Sequence, residues 1–245
     1  MNMTTHVIGL SGGKDSTALA LRLAEVEPRD YVFLCTPTGD ELPEMEQHWQ
    51  TLECLLGAPL MRLTDDGLDL KGLCERENML PNWRARFCTR ALKIEPCQDW
   101  ISRQADDVVL YVGLRADEEG REGGIYEGCE VRFPFREWGW GINDVMGYLR
   151  QRGVTIPVRT DCARCFFQTL PEWWRLWKEH PDIYQDAVEQ EQAIGHTFRS
   201  PGRDTWPASL EMLRARFERG DIPRGTELQQ DLFGFSANKC RVCSL

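Results

Sequence analysis

The stretch Val7-Ile8-Gly9-Leu10-Ser11-Gly12-Gly13-Lys14-Asp15-Ser16-Thr17 decides how this chain is read. A short apolar run, His6–Leu10, ends in a glycine-rich turn. Lys14–Glu25 (KDSTALALRLAE) follows, with apolar residues at helical spacing and good helix formers. The pattern predicts strand, turn, helix. In that context the backbone N–H groups of the turn and the helix N-terminus form a cradle for phosphate or sulfate. Gly12 and Gly13 let the backbone approach an anion with no Cβ in the way. Ser11 and Ser16 add hydroxyl donors. The turn is not a G-x-x-x-x-G-K-[ST] loop, because Asp15 follows Lys14, and it is not G-x-G-x-x-G. An ordinary glycine turn with Asp15 near a helix start is the plainer alternative.

Working outward, Tyr31–Cys35 (YVFLC) reads as a second buried strand and Glu44–Leu56 as a helix started near Pro43. Pro59–Leu63 is a candidate third strand. Thr89–Gln104 has helical character interrupted at Pro96, and Val108–Gly113 is the next strand. Continuous apolar strands alternating with helices predict an α/β fold, a parallel sheet covered on both faces. The polar, glycine-rich Arg115–Glu130 is long for a loop, which fits a mobile active-site segment. Gly141–Arg152 is a further helix. From about residue 160 the texture turns helical and rich in tryptophan. The expected division is therefore 1–160, an α/β domain, and 161–245, a helical, cysteine-containing extension packed on it. Trp173, Trp174 and Trp177 share a helix spacing that suits core packing; base stacking is the sharper alternative. The tail Gly225–Leu245 shows no clear regular pattern.

Composition bounds the function. Of 245 residues, 42% are hydrophobic, enough for a real core, so wholesale disorder is excluded. No run approaches the roughly 20 apolar residues of a membrane span, and the N-terminus lacks a basic region and a long apolar run, so a cytoplasmic protein is expected. The 29 Lys+Arg and 39 Asp+Glu give a net charge of −10, which argues against coating of nucleic acid. Residues 1–150 carry 16 basic and 26 acidic residues and so account for the whole imbalance. Within that acidic part, Asn82–Lys93 (NWRARFCTRALK) holds Arg84, Arg86, Arg90 and Lys93 and no acid. A solvated basic face is the bland reading; an anion site fits such an island better.

Ten cysteines without a secretory signal favour metal binding or redox chemistry over disulfides. Two C-x-x-C pairs, Cys162/Cys165 and Cys240/Cys243, would read as a four-cysteine site for zinc or an iron–sulfur cluster. The 74 residues between Cys165 and Cys240 are too many for a zinc ribbon, so the spacing fixes no metal. Cys35, Cys54, Cys74, Cys97 and Cys129 are expected to be packing residues, as a lone cysteine usually is. None of His6, His48, His180 and His196 stands in a motif of its own.

SGGKDS in this position resembles the PP-loop of the adenine nucleotide α-hydrolase-like superfamily. Further segments are similar to those of phosphoadenosine phosphosulfate (PAPS) reductases. Thr38-Gly39-Asp40-Glu41-Leu42-Pro43-Glu44 resembles their turn after the second strand. Cys88-Thr89-Arg90-Ala91-Leu92-Lys93-Ile94-Glu95-Pro96 resembles their basic segment, and Gly113-Leu114-Arg115-Ala116-Asp117-Glu118 their G-[IL]-R-x-x-E turn. Phe133-Pro134-Phe135, Trp138 and Asp144-Val145 follow in the family's order, and Cys162-x-x-Cys165 falls where cluster-binding relatives carry C-x-x-C. The resemblance covers roughly residues 6–170.

The resemblance implies an open parallel sheet of order 3-2-1-4-5. In such a sheet ligands bind beyond the carboxyl ends of the strands, where strand order reverses. It implies a nucleotide site at Ser11, Gly12, Gly13, Lys14, Asp15, Ser16, Thr36, Thr38, Gly39, Asp40, Arg90, Lys93, Gly113 and Arg115, with adenine near Cys35–Thr38. Arg84 and Arg86 join the candidates for phosphate or sulfonyl groups, because arginine offers them a bidentate fork. Catalysis would rest on Lys14, Asp15 and, as the reactive thiol, Cys243. A [4Fe–4S] cluster, with zinc or free thiols as the other outcomes, would select Cys88, Cys162 and Cys165. The family's second adjacent cysteine is here Thr89, so Cys240 or Cys243 would complete the set.

The leading expectation is an enzyme of sulfur metabolism that uses ATP, with magnesium, or a sulfonucleotide. It would pass sulfur to an adenylated acceptor, as the DNA phosphorothioation sulfurtransferases among its relatives do; that acceptor is unnamed, and nucleic acid is one class. A true PAPS or adenylylsulfate reductase, releasing sulfite with thioredoxin as partner, is the runner-up; its E-C-G-L-H ending is absent from Lys239-Cys240-Arg241-Val242-Cys243-Ser244-Leu245. A non-catalytic, nucleotide-binding cluster subunit is the third. A sulfur-donor partner and a homodimer are further expectations, and a membrane partner is not expected.

Overall fold

The computed structural model describes residues 4–64, 67–118, 120–121 and 126–226. Five strands form one all-parallel sheet: β1 Thr4–Gly9, β2 Tyr31–Cys35, β3 Leu60–Arg62, β4 Asp107–Tyr111 and β5 Cys129–Arg132. Their order is β3-β2-β1-β4-β5, as expected. The register sets His6 beside Tyr31 on one flank of β1 and beside Val109 on the other. Strand order reverses at β1, so the glycine turn leaves the sheet at its switch point.

Successive residues of each strand point to opposite faces. Ile8 and Phe33 therefore enter one core with α1 (Lys14–Val26), α2 (Pro43–Leu56) and α7 (Ile142–Gln151). Val7, Leu34 and Leu110 enter the other, with Cys97 and Ile101 of α5 (Glu95–Ser102). A third core unites α3 (Leu70–Glu77), the residues around Leu92, and the helices α8 (Leu170–Glu179), α9 (Pro181–Ile194) and α10 (Leu210–Glu218). Between α3 and α8 lie the short helices α4 (Phe87–Thr89) and α6 (Pro134–Glu137). Among the described residues no helix is long and apolar enough to cross a membrane.

Three local readings are corrected. The expected single helix Thr89–Gln104 is α4, a π-helical stretch Arg90–Ile94, and α5. Pro96 stands in the first turn of α5, where its missing N–H costs least, and the widened turn precedes it. Cys129 and Glu130, assigned to the polar loop, begin β5; a short, half-exposed edge strand carries little apolar signal. Cys54 is exposed instead of packed. The buried stripe of α2 is Met45, His48, Trp49 and Leu52, and Cys54 lies off it.

Candidate nucleotide and thiol site

Gly12 adopts φ +86°, a conformation that favours glycine. A Cβ there would stand 2.8 Å from Trp49 Nε1 and 2.9 Å from Met45 Cε. The turn is held from behind by α2. The Trp49 indole N–H donates to the Ser11 carbonyl at 3.0 Å, and His48 Nε2 donates to the Gly12 carbonyl at 3.0 Å. In a planar trans peptide the N–H points away from the C=O. The N–H groups of Gly12 and Gly13 therefore point away from the carbonyls that α2 holds, and the Gly13 N–H lies 3.4 Å from the Ser11 hydroxyl; Ser11, Gly13, Asp15 and Ser16 line a cavity together with Trp49 of α2. The Ser16 hydroxyl donates to Gly13 O at 3.1 Å and lies 3.1 Å from the Ser11 hydroxyl. Burial lowers the pKa of His48, against the opposing pull of the Gly12 carbonyl.

Cys35 and Thr36 close the cavity from the end of β2, Gly113 from the end of β4, and Glu41, Lys93 and Cys162 from the far side. Gly113 permits a close approach: a Cβ would lie 3.2 Å from the Asp15 carbonyl carbon and 3.3 Å from Ser16 N. Arg115, only 2% exposed, turns inward. Its Nη1 lies 2.8 Å from Asp15 Oδ2, its Nε 2.8 Å from Asp117 Oδ1, and its Nη2 3.6 Å from Glu118 Oε1. Lys14 Nζ is 3.6 Å from the same Asp15 oxygen. The other oxygen, Asp15 Oδ1, is buried with no hydrogen-bond partner.

The expected nucleotide residues thus divide. Ser11, Gly13, Asp15, Ser16, Thr36, Lys93 and Gly113 share the cavity wall. Gly12, Lys14 and Arg115 shape or support it. Thr38 lies one layer out: its N–H donates to Glu41 Oε1 at 2.7 Å, and its hydroxyl is 2.7 Å from that oxygen and 3.2 Å from Cys162 Sγ. Gly39, φ +72°, passes Asp69 where a Cβ would come within 2.6 Å of its Cβ. Asp40 meets Arg164: the Arg164 N–H donates to Oδ2 at 2.9 Å and Nε to Oδ1 at 2.6 Å. Arg90 is an exposed residue whose Nε lies 3.4 Å from Glu95. Arg84 stacks on the exposed Trp83 at 4.5 Å, and Arg86 on Phe167 at 5.5 Å. His48, Trp49 and Arg164 were not singled out as site residues. The α2 stripe carried a signal for the first two; nothing in the sequence pairs residue 40 with residue 164.

Cys88, Cys162 and Cys165 line a second small cavity with Arg86 and Lys93. Cys162 and Lys93 also line the first, so they form the partition between the two. Burial pushes the Cys162 thiol well up and Cys165 to about 12. Cys88 is raised for the same reason, and Lys93 pulls both Cys88 and Cys162 back. Cys240 and Cys243 lie outside the described residues. Among the described residues no three His, Cys, Asp or Glu side chains are placed to hold one metal ion. The three thiols are gathered but do not by themselves form the cluster or zinc site expected of them.

Cys35, Cys74 and Cys97 are buried and Cys129 is half-buried. Trp173 is fully buried against Tyr184 and Phe198, and Trp177 packs on Phe217. Core packing accounts for both.

Residues 5–125 match the family described as the phosphoadenosine phosphosulfate reductase domain. No curated protein matches the chain. Among solved structures it is similar to the crystal structure of phosphoadenylyl-sulfate (PAPS) reductase from Candida auris in a phosphate complex. The identity is 14% and the TM-score 0.48, over 62% of this chain and 74% of that one.

Proposed function

Because residues 5–125 belong to the phosphoadenosine phosphosulfate reductase domain family, we propose that this chain is a PP-loop enzyme of sulfur metabolism that binds ATP or a sulfonucleotide. The observation that carries the reading is the shared cavity. Residues of the glycine turn, Ser11, Gly13, Asp15 and Ser16, line it together with Lys93 and Cys162. The turn holds the nucleotide's phosphate or sulfonyl oxygens through N–H donors and the Ser16 hydroxyl. Lys93 neutralises charge at the wall nearest the thiols. Arg115 holds Asp15 through Oδ2, leaving Oδ1 buried without a hydrogen-bond partner. The orphaned Oδ1 suits magnesium, a hard cation that takes one or two carboxylate oxygens together with substrate phosphates. Bound there, magnesium would neutralise the phosphate charge.

In the favoured reaction an acceptor oxygen is adenylated by ATP, pyrophosphate departs on the glycine turn, and a sulfur donor displaces AMP. The acceptor side is the exposed strip Trp83, Arg84 and Arg90, with Arg86 half-buried beside it, which offers a ring for stacking and cations for phosphates, so nucleic acid is the acceptor class proposed. A [4Fe–4S] cluster on Cys88, Cys162 and Cys165, completed by Cys240 or Cys243, is proposed as the sulfur-handling group; iron and acid-labile sulfide analysis after anaerobic purification tests it. An iron-free protein with undiminished activity would remove the cluster from the proposal.

Two assays separate the reactions. ATP–pyrophosphate exchange with candidate acceptors supports sulfur transfer. Sulfite release from PAPS with thioredoxin supports the reductase and puts that activity in its place. Absence of both, with nucleotide still bound, supports a non-catalytic subunit.

A further inference from the structure

We propose that Arg164 is a positioning residue that ties the cysteine turn Cys162–Cys165 to the nucleotide turn Thr36–Glu41, so that occupation of the nucleotide cavity is transmitted to Cys162. The inference rests on the nucleotide-binding reading above and extends it to how the thiols are aligned.

Four contacts join the two turns, across 123 or 124 residues of sequence. The Arg164 guanidinium bonds Asp40 Oδ1 through Nε at 2.6 Å, with Nη2 2.5 Å from the same oxygen. The Arg164 N–H donates to Asp40 Oδ2 at 2.9 Å. The Ala163 N–H donates to the Asp40 carbonyl at 2.6 Å. The Thr38 hydroxyl lies 3.2 Å from Cys162 Sγ. The far edge of the guanidinium is anchored on α9, with Nη1 2.8 Å from Asp186 Oδ2, and Lys71 of α3 holds Asp186 Oδ1 at 2.6 Å. Arg164 is thus clamped between the end of β2 and the helical extension.

Burial decides what this pair contributes. The two side chains are 6% and 4% exposed. A buried ion pair is weak evidence for stability, because desolvation offsets most of the attraction and an apolar pair of similar volume serves as well. What the planar guanidinium adds is direction: a fork engaging one carboxylate fixes the orientation of both backbones. The backbones so fixed are those bearing Glu41, after β2, and Cys162, after α7, and both residues line the nucleotide cavity. A displacement of one turn by a bound nucleotide is therefore carried to the other.

Hydrogen exchange followed by mass spectrometry tests this on the full chain, with ATP and with PAPS as probes. Wild-type protein is expected to show at least fivefold slower exchange with nucleotide in two peptides, 10–17 at the glycine turn and 160–168 at the cysteine turn. Arg164→Lys and Arg164→Met should keep the slowing at 10–17 and lose it at 160–168. Slowing at 160–168 that survives in both variants overturns the proposal. So does its absence in wild type while 10–17 responds, a result that needs no variant to fold. No response at 10–17 in wild type with either nucleotide overturns the nucleotide reading itself and the proposal with it.

Discussion

Nη1 of Arg115 lies 2.8 Å from Oδ2 of Asp15, and this contact fastens the turn after β4 to the first turn of α1. The arginine is almost fully buried while the aspartate borders the cavity. Removing the cation leaves a carboxylate in a poorly solvated place. Arg115→Ala is expected to destabilise the fold by about 3 kcal/mol, the cost of breaking a buried pair from one side. Urea unfolding measures it. A loss under about 1 kcal/mol would mean that Asp15 is well solvated without its partner.

The glycine turn admits a controlled comparison. Gly12 and Gly57 have similar positive φ values, +86° and +66°. A Cβ at Gly57 meets nothing within 4 Å, whereas one at Gly12 collides with Trp49 and Met45. Gly57→Ala should cost about 1 kcal/mol, the backbone penalty alone. Gly12→Ala should cost about 1–3 kcal/mol more from overpacking, and it should abolish nucleotide binding in calorimetry. Equal losses in the two variants would contradict the geometry.

His48 gives the turn a pH dependence. Its folded pKa is lowered by burial, so between that value and 6.5 the unfolded chain binds more protons than the folded one. Its contribution is fully present above pH 6.5 and is lost as pH falls through the folded pKa. Glu191 works in the opposite sense: burial raises it to about 7, so its contribution is present below 4.5 and is lost as pH rises toward 7. NMR titration of the His48 ring should give a pKa below 6.5. Denaturation of His48→Gln, which keeps a donor for Gly12 O, should show a smaller loss of stability between pH 7 and pH 5 than wild type.

The thiols should react in a fixed order. With Cys165 at about 12, about one molecule in 10⁴ carries its thiolate at pH 8, and the thiolate is the nucleophile. Cys54 is exposed. Brief alkylation of metal-free protein, read by peptide mass spectrometry, should label Cys54 and spare Cys162 and Cys165. Rapid labelling of Cys165 would show that the second cavity is open to solvent.

Much of this molecule is written in short, local patterns. The apolar runs of β1 and β2 and the helical spacing after Lys14 are legible because each segment buries one continuous face. The sequence order SGGKDS, TGDE, GLRADE marks three strand ends, and those ends do converge on one cavity. What escaped is non-local or weakly patterned. β5 is a four-residue edge strand, Cys-Glu-Val-Arg, held by pairing with β4 more than by its own composition. Arg115 reads as an anion ligand from its charge, and Asp40 enters the site only by resemblance; each is engaged with a partner at least 100 residues away. Charge type is visible in a sequence, but its partner is decided by the fold.

The hydrogen bonds from His48 and Trp49 to consecutive carbonyls have a consequence for affinity. A free glycine-rich loop samples many conformations, and a ligand that orders it gives up binding energy to do so. Here that entropy is surrendered once, when α2 docks, and every later encounter meets a receptor already in its bound shape. Such a loop is expected to capture its anion with little change in its own conformation and to discriminate by shape as much as by charge.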